Sequence, residues 1–133
     1  MGTLYCRLTA AGRIAYFVSM SPSQPIVLGE FETLMLMAAL HLTERGAEAN
    51  GAAIRAEIEA RTARPVPRGS IYVTLDRLED KQLLASRQVA GAERGRRPKR
   101  VFRVTPAGLR AVRQSVSTLV SMHKGLEPVL GDS

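Results

Sequence analysis

The sequence predicts a mainly α domain with a two-stranded β wing, a winged helix-turn-helix followed by a C-terminal dimerisation helix. Three observations carry that expectation. Within PVPRGSIYVTLDRLEDKQLL (65–84), Ile71, Leu75 and Leu78 recur at i, i+4, i+7, the spacing of one apolar stripe on a helix. After Leu84 the period changes from helical to alternating, and a Gly- and Arg-rich stretch separates two runs of strand character. From Leu109 onward apolar residues return at spacings of three and four, which suits a helix that pairs with another helix.

A chain of 133 residues can bury one core. The expected division is an arm of unassigned role (1–27), a winged helix-turn-helix (28–104), a dimerisation helix (105–127) and a tail (128–133). In the arm, Leu4 to Val18 reads as a short helix, and Ser21-Pro22-Ser23-Gln24-Pro25 reads as a linker. YCRLTAAGRIA (5–15) echoes VFRVTPAGLRA (101–111), either as a duplicated strand-to-helix junction or as a chance match. Met20 stands just ahead of the linker and offers an alternative start.

GEFETLMLMAALHLT (29–43) is helical in pattern and apolar nearly all round. Such a helix must be covered on every side, so it is expected at the centre, with a partner subunit closing one face. His41 reads as a partly buried helical histidine, since no second metal ligand is spaced to join it. Asn50 then caps a helix from Gly51 to Thr62, with Ile54 and Ile58 on its inner face. Pro65 and Pro67 break the chain, and Arg68 or Gly69 opens the third helix. Two helices joined by a tight turn make a helix-turn-helix.

Opposite the apolar stripe of the third helix project Gly69, Ser70, Val73, Asp76 and Arg77. Tyr72 and Thr74 fall on its flanks and Arg68 at its start. Serine and backbone N–H groups at a helix start hold phosphates, valine meets a thymine methyl, and arginine reads guanine edges. The same spacing also suits an ordinary amphipathic surface helix, so the neighbouring segments decide.

Leu84 to Val89 alternates as a strand, and Arg100 to Val104 forms a second one. GAERGRRP (91–98) lies between them, so Arg94, Arg96, Arg97, Lys99 and Arg100 cluster at a hairpin tip. Such a run can be a solvated loop. Placed directly after a groove-facing helix, it reads as a wing along phosphates or the minor groove. Thr105 caps the last helix and Pro106 occupies its first position. Leu109, Val112, Val116, Leu119, His123 and Leu126 form its seam, expected both to pair with a second copy and to pack on the chain's own core, and Gly125 and Pro128 end it.

Charge is uneven along the chain. Residues 1–66 carry six Lys/Arg and six Asp/Glu, whereas residues 67–133 carry the entire formal net charge of +7. A basic half points to a polyanion, either nucleic acid or an anionic membrane surface. The single cysteine, Cys6, allows no internal disulfide and no cysteine-based zinc site, which points to a reducing, cytoplasmic setting. No apolar run reaches the roughly 18–20 residues of a membrane span. IAYFVSM (14–20) follows Arg7 and Arg13 and lacks a clear cleavage site, so no signal peptide is expected. No phosphate-cradling Gly loop or nucleophile–base spacing suggests an enzyme, and no cofactor or metal is expected. Three Phe, three Tyr and no Trp leave few stacking platforms for RNA.

LGEFETLMLMAAL, the block NGAAIRAEIEARTARPVPRGSIYVTLDRLEDKQLL, the hairpin RGRRPKRVFRVTPAG and the trailing helix together resemble the PadR family of bacterial transcription regulators. The resemblance spans about residues 28–123 and is most specific at G-S-I-Y-x-x-L-x-R-L-E (69–79). It implies a winged helix-turn-helix, a homodimer through the last helix with help from the first, and repressor-type binding to inverted-repeat DNA. It also implies that Tyr72 contacts phosphate, with Ser70, Thr74 and Arg77 at the DNA face. Gln82 stands where the family commonly has Gly after the recognition helix, so that helix is expected to end differently. Asn50 replaces a common aromatic, losing a core contact and gaining a cap. The short C-terminal helix resembles the compact branch and argues against a large effector pocket.

The expected function is a dimeric, sequence-specific repressor that binds double-stranded DNA, with a small-molecule effector of unspecified identity and no membrane partner. Ser70, Val73 and Arg77 would read bases, while Arg68, Tyr72, Arg94, Arg96, Arg97 and Lys99 would neutralise phosphates. The alternative is a winged-helix interaction or effector-sensing module whose wing is a solvated loop. Asp76, Glu79 and Asp80 on the third helix favour that alternative, because carboxylates near phosphates repel.

Overall fold

The computed structural model of the chain describes residues 27–89 and 99–131, together with the backbone of two short strands. Those strands, β1 (Leu4–Leu8) and β2 (Ile14–Val18), pair antiparallel with Leu4 opposite Val18 and Leu8 opposite Ile14. The helix expected over Leu4–Val18 is therefore replaced by a hairpin. IAYFV is rich in aromatic and β-branched residues and LYCRL adds a tyrosine, and that preference outweighs the weak helical spacing. In the echo of 101–111 at 5–15, residues 14 and 15 lie in β2 where their counterparts 110 and 111 lie in α4, and 9–13 fall outside the described residues. The linker at 21–25 lies outside the described residues.

The rest runs α1 (Glu30–Glu44), α2 (Gly51–Thr62), α3 (Arg68–Asp80), β3 (Leu84–Val89), β4 (Lys99–Val104), α4 (Pro106–His123) and α5 (Glu127–Leu130). α1 is central and packs against α2, α3, α4 and β4. Met35, Leu36, Ala38, Ala39 and Leu42 are buried, and Phe31, Leu34 and Met37 are partly covered. His41 is exposed rather than partly buried, because it lies on the outer side of the last turn. Phe102, Ile54, Ile71, Leu75, Leu78, Leu83 and Leu84 complete the fully buried core. Each such side chain contributes about 1.5–3 kcal/mol relative to exposure.

Local chemistry fixes the element ends. The Asn50 side chain accepts from the Ala53 N–H at 2.8 Å and starts α2. In the turn after α2, Glu59 accepts from the Val66 N–H and Arg55 donates to the Val66 carbonyl, holding buried Val66 in place. α3 begins at Arg68 after Pro67. It ends with Gln82 in the left-handed region at φ 63. The Leu83 N–H reaches the Leu78 carbonyl at 3.0 Å and the Gln82 N–H reaches Glu79 at 2.9 Å. That is a Schellman ending, accompanied by burial of Leu83 beside Leu78. The expectation of a different helix end at Gln82 is thus overturned: the paired carbonyls and the buried leucine offset the cost of a left-handed glutamine, about 1 kcal/mol.

β3 and β4 form the wing, antiparallel, with Leu84 opposite Val104 and Val89 opposite Lys99. Residues before α2 join it, since the Phe102 N–H donates to the Ala49 carbonyl at 2.9 Å and Asn50 bridges Val101. Thr105 then couples three elements. Its hydroxyl donates to the Gln82 carbonyl and accepts from the Gly108 N–H, and its own N–H reaches the Leu83 carbonyl. α4 crosses that turn so closely that a Cβ on Gly108 would lie 2.2 Å from the Leu83 carbonyl oxygen.

α4 stops at His123, four residues earlier than expected, and a short α5 occupies part of the expected tail. Among the described residues no helix is long and apolar enough to cross a membrane.

Candidate nucleic-acid interface

α3 has two faces. Ile71, Thr74, Leu75 and Leu78 turn inward. Arg68, Gly69, Ser70, Tyr72, Val73, Asp76 and Arg77 turn outward. Val73 is 58% exposed and lies outside the core cluster of the described residues. The first turn holds no acidic residue and no side-chain cap, so its N–H groups face outward beside Arg68 and Ser70.

Thr74 does not belong to this face. It is 6% exposed and lies between Ile71 and Leu78 on the buried stripe, so its expected contact with DNA is withdrawn. Its hydroxyl resembles a polar flank in the sequence, whereas the i, i+3, i+4, i+7 geometry carries it into the core.

Beside α3 lies a cleft of about 380 Å³ lined by Asn50, Gly51, Ala52, Tyr72, Lys99, Arg100 and Phe102. Three elements meet there: the start of α2, the flank of α3 and the first residues of β4. Tyr72 packs against the α2 backbone so tightly that a Cβ on Gly51 would come within 2.8 Å of its ring. Gly51 thereby sets the position of the tyrosine hydroxyl. Lys99 is exposed at the same rim. Arg94, Arg96 and Arg97 lie outside the described residues.

Arg100 is not a free cation at the wing. It donates to Asp76 Oδ1 at 2.9 Å and to Glu79 Oε1 at 2.6 Å, and its guanidinium stacks over Phe102 at 4.9 Å. Glu79 also accepts from the Ser86 hydroxyl. Burial opposes the Arg100 charge, but the hydrogen bonds to Asp76 and Glu79 outweigh it and hold the guanidinium above its ordinary pKa. The expected phosphate contact of Arg100 is replaced by an internal one that ties the wing to α3. The signal was present as two carboxylates three residues apart on α3, but their cross-element partner was not legible.

A second ion pair braces the end of α3. Lys81 donates to Glu32 at 2.8 Å. Burial raises the Glu32 pKa, yet hydrogen bonds from Lys81 and the Gly29 N–H bring it below its ordinary value.

Along α4 the expected seam divides. Val112 is 7% exposed and packs with Ala111 into the chain's own core, so its expected dimer role is withdrawn. Leu109, Val116 and Leu119 remain exposed at 41%, 37% and 67%, and His123 is exposed too. Leu126 falls beyond α4, at the start of α5, and so off the continuous seam. Val27, Leu28, Leu34, Met37, Val116 and Leu119 line a groove of about 480 Å³ between α1 and α4.

The family model for transcriptional regulators of the PadR-like family matches residues 39–114. The fold is similar to that of a PadR family transcription regulator from a hypervirulent Clostridium difficile, with TM-score 0.61 and 19% identity over 77% of this chain and 100% of the other. It is similar also to a PadR family regulator from Eggerthella lenta, with TM-score 0.55 and 26% identity over 76% and 87%. A PadR-like transcription factor from Bacteroides fragilis matches with TM-score 0.56 and 17% identity over 75% and 94%. No curated protein matches the chain at a significant level. The chain belongs to the PadR-like family of transcriptional regulators.

Proposed function

With that membership as the premise, we propose that the chain is a dimeric, sequence-specific DNA-binding repressor acting at an inverted repeat. The observation that carries this reading is the outward face of α3, where Ser70, Val73 and Arg77 stand exposed and unpartnered among the described residues. Arginine donates to two guanine acceptors, and valine packs on a thymine methyl. Arg68, Tyr72 and Lys99 flank that face and meet the phosphates, with Arg94, Arg96 and Arg97 assigned to the same task on sequence grounds.

A second copy supplies the other half-site. The apolar groove between α1 and α4 gives it a seat, and Leu109, Val116, Leu119 and His123 continue the contact. Two recognition helices then enter successive major grooves about 34 Å apart. A ligand that favours a dimer geometry unable to span both half-sites would release the DNA.

Of the carboxylates that favour an interaction module, Asp76 and Glu79 share the Arg100 cation, which offsets part of their repulsion of phosphate. The test is selection of the purified chain on random duplex DNA, repeated with Arg77→Ala. Enrichment of an inverted repeat that disappears with Arg77→Ala supports the reading. Equal, weak binding to all sequences overturns it in favour of a protein-interaction module.

A further inference from the structure

We infer that Asp76 is a specificity-determining residue of the recognition helix, selecting cytosine at one position of each half-site. The inference rests on the DNA-binding reading above and goes beyond it by assigning a base preference to a carboxylate.

Three observations meet at this residue. Asp76 lies three residues after Val73 and one before Arg77, on the outward face and not at the helix end. Its side chain is 61% exposed, and only Oδ1 has a partner among the described residues, the Arg100 amino group at 2.9 Å. The second carboxylate oxygen therefore points an acceptor out of the helix. Finally, the cation that holds Oδ1 is itself fixed by Glu79 at 2.6 Å and by the Phe102 ring.

A bare aspartate among phosphates would be repelled. Arg100 offsets part of that cost, its one positive charge being shared with Glu79, and anchors the carboxylate so that little side-chain freedom is lost on binding. The remaining oxygen can only accept. In the major groove cytosine presents the N4 amine donor, guanine presents acceptors at N7 and O6, and thymine presents an acceptor at O4. Adenine offers a donor flanked by the N7 acceptor, which matches an amide better than a carboxylate. A fixed acceptor with no donor thus favours cytosine and rejects guanine and thymine.

The experiment is random-duplex selection with the full chain and with Asp76→Asn, Asp76→Ala and Asp80→Asn. Asparagine keeps an oxygen for Arg100 but adds a donor, so Asp76→Asn should move the preference at one position per half-site from cytosine to adenine. Asp76→Ala should flatten that position by about tenfold. Asp80→Asn, which removes the same charge from an exposed position at the end of α3 and outside the Arg100 cluster, should leave the selected sequence unchanged. If the unsubstituted chain selects a motif and Asp76→Asn selects the same one, the inference is overturned while the DNA-binding reading stands. If Asp80→Asn shifts the motif as Asp76→Asn does, the effect belongs to the net charge of α3 and the inference also fails. If the unsubstituted chain selects nothing, both fall together.

Discussion

The outward faces of α3 and α4 are both left uncovered by the core, yet they are chemically opposite. α3 offers a hydroxyl, two arginines, a tyrosine and a carboxylate around one exposed valine. α4 offers Val116, Leu119, Val120 and Met122, each at least 37% exposed. A polar face with directional groups suits a partner whose identity is read by hydrogen bonds. An apolar stripe suits a partner that need only be complementary and dry. The two faces therefore suit two different kinds of partner, one read by directional hydrogen bonds and one met by apolar contact.

The largest disruption of that division is expected from Leu119→Asp. Leu119 is 67% exposed, so the fold should survive while the apolar stripe acquires a charge. Sedimentation should show a monomer, and affinity for a two-half-site duplex should fall by about a hundredfold or more as simultaneous engagement is lost. Arg77→Ala should leave the sedimenting species unchanged and cost about 1–3 kcal/mol of binding to the preferred duplex alone. Lys99→Ala sharpens the contrast further: binding should weaken equally for all sequences, and the slope of log affinity against log salt should fall by about 1.

Gln82→Gly touches neither face. It should raise thermal stability by no more than about 1 kcal/mol by relieving the left-handed glutamine, with DNA selection unchanged. A pH titration of stability probes the scaffold beneath both faces. Hydrogen bonds from Arg45 and Arg61 lower the Glu57 pKa to about 2. Its contribution is complete above the unfolded carboxylate value of about 4.3 and is lost as pH falls towards the folded value. Glu57→Gln should therefore flatten the acid limb of the stability curve while leaving the neutral-pH DNA preference intact.

Local chemistry made much of this fold legible in sequence. The Asn50 cap, the Pro67 break before α3 and the Thr105-Pro106 start of α4 depend on neighbours within a turn, and each stands where its residues indicate. Long-range partners were less legible. Thr74 and Val112 have plausible outward roles until α3 and α4 are packed, when both are needed inside. Arg100 counted as one more basic residue of the wing until β4 brought it over Asp76 and Glu79. The arm misled for another reason: its apolar residues fit a weak helical period, and only pairing reveals them as β1 and β2.

The most direct test of the two-partner division is a titration of the purified chain against its selected inverted repeat and a scrambled duplex of equal composition, across a series of salt concentrations. Affinity should fall with salt for both, while the selected duplex stays tighter by about a thousandfold or more at physiological salt. Coincident curves that vanish together at moderate salt would contradict base reading by α3 and leave only a basic surface.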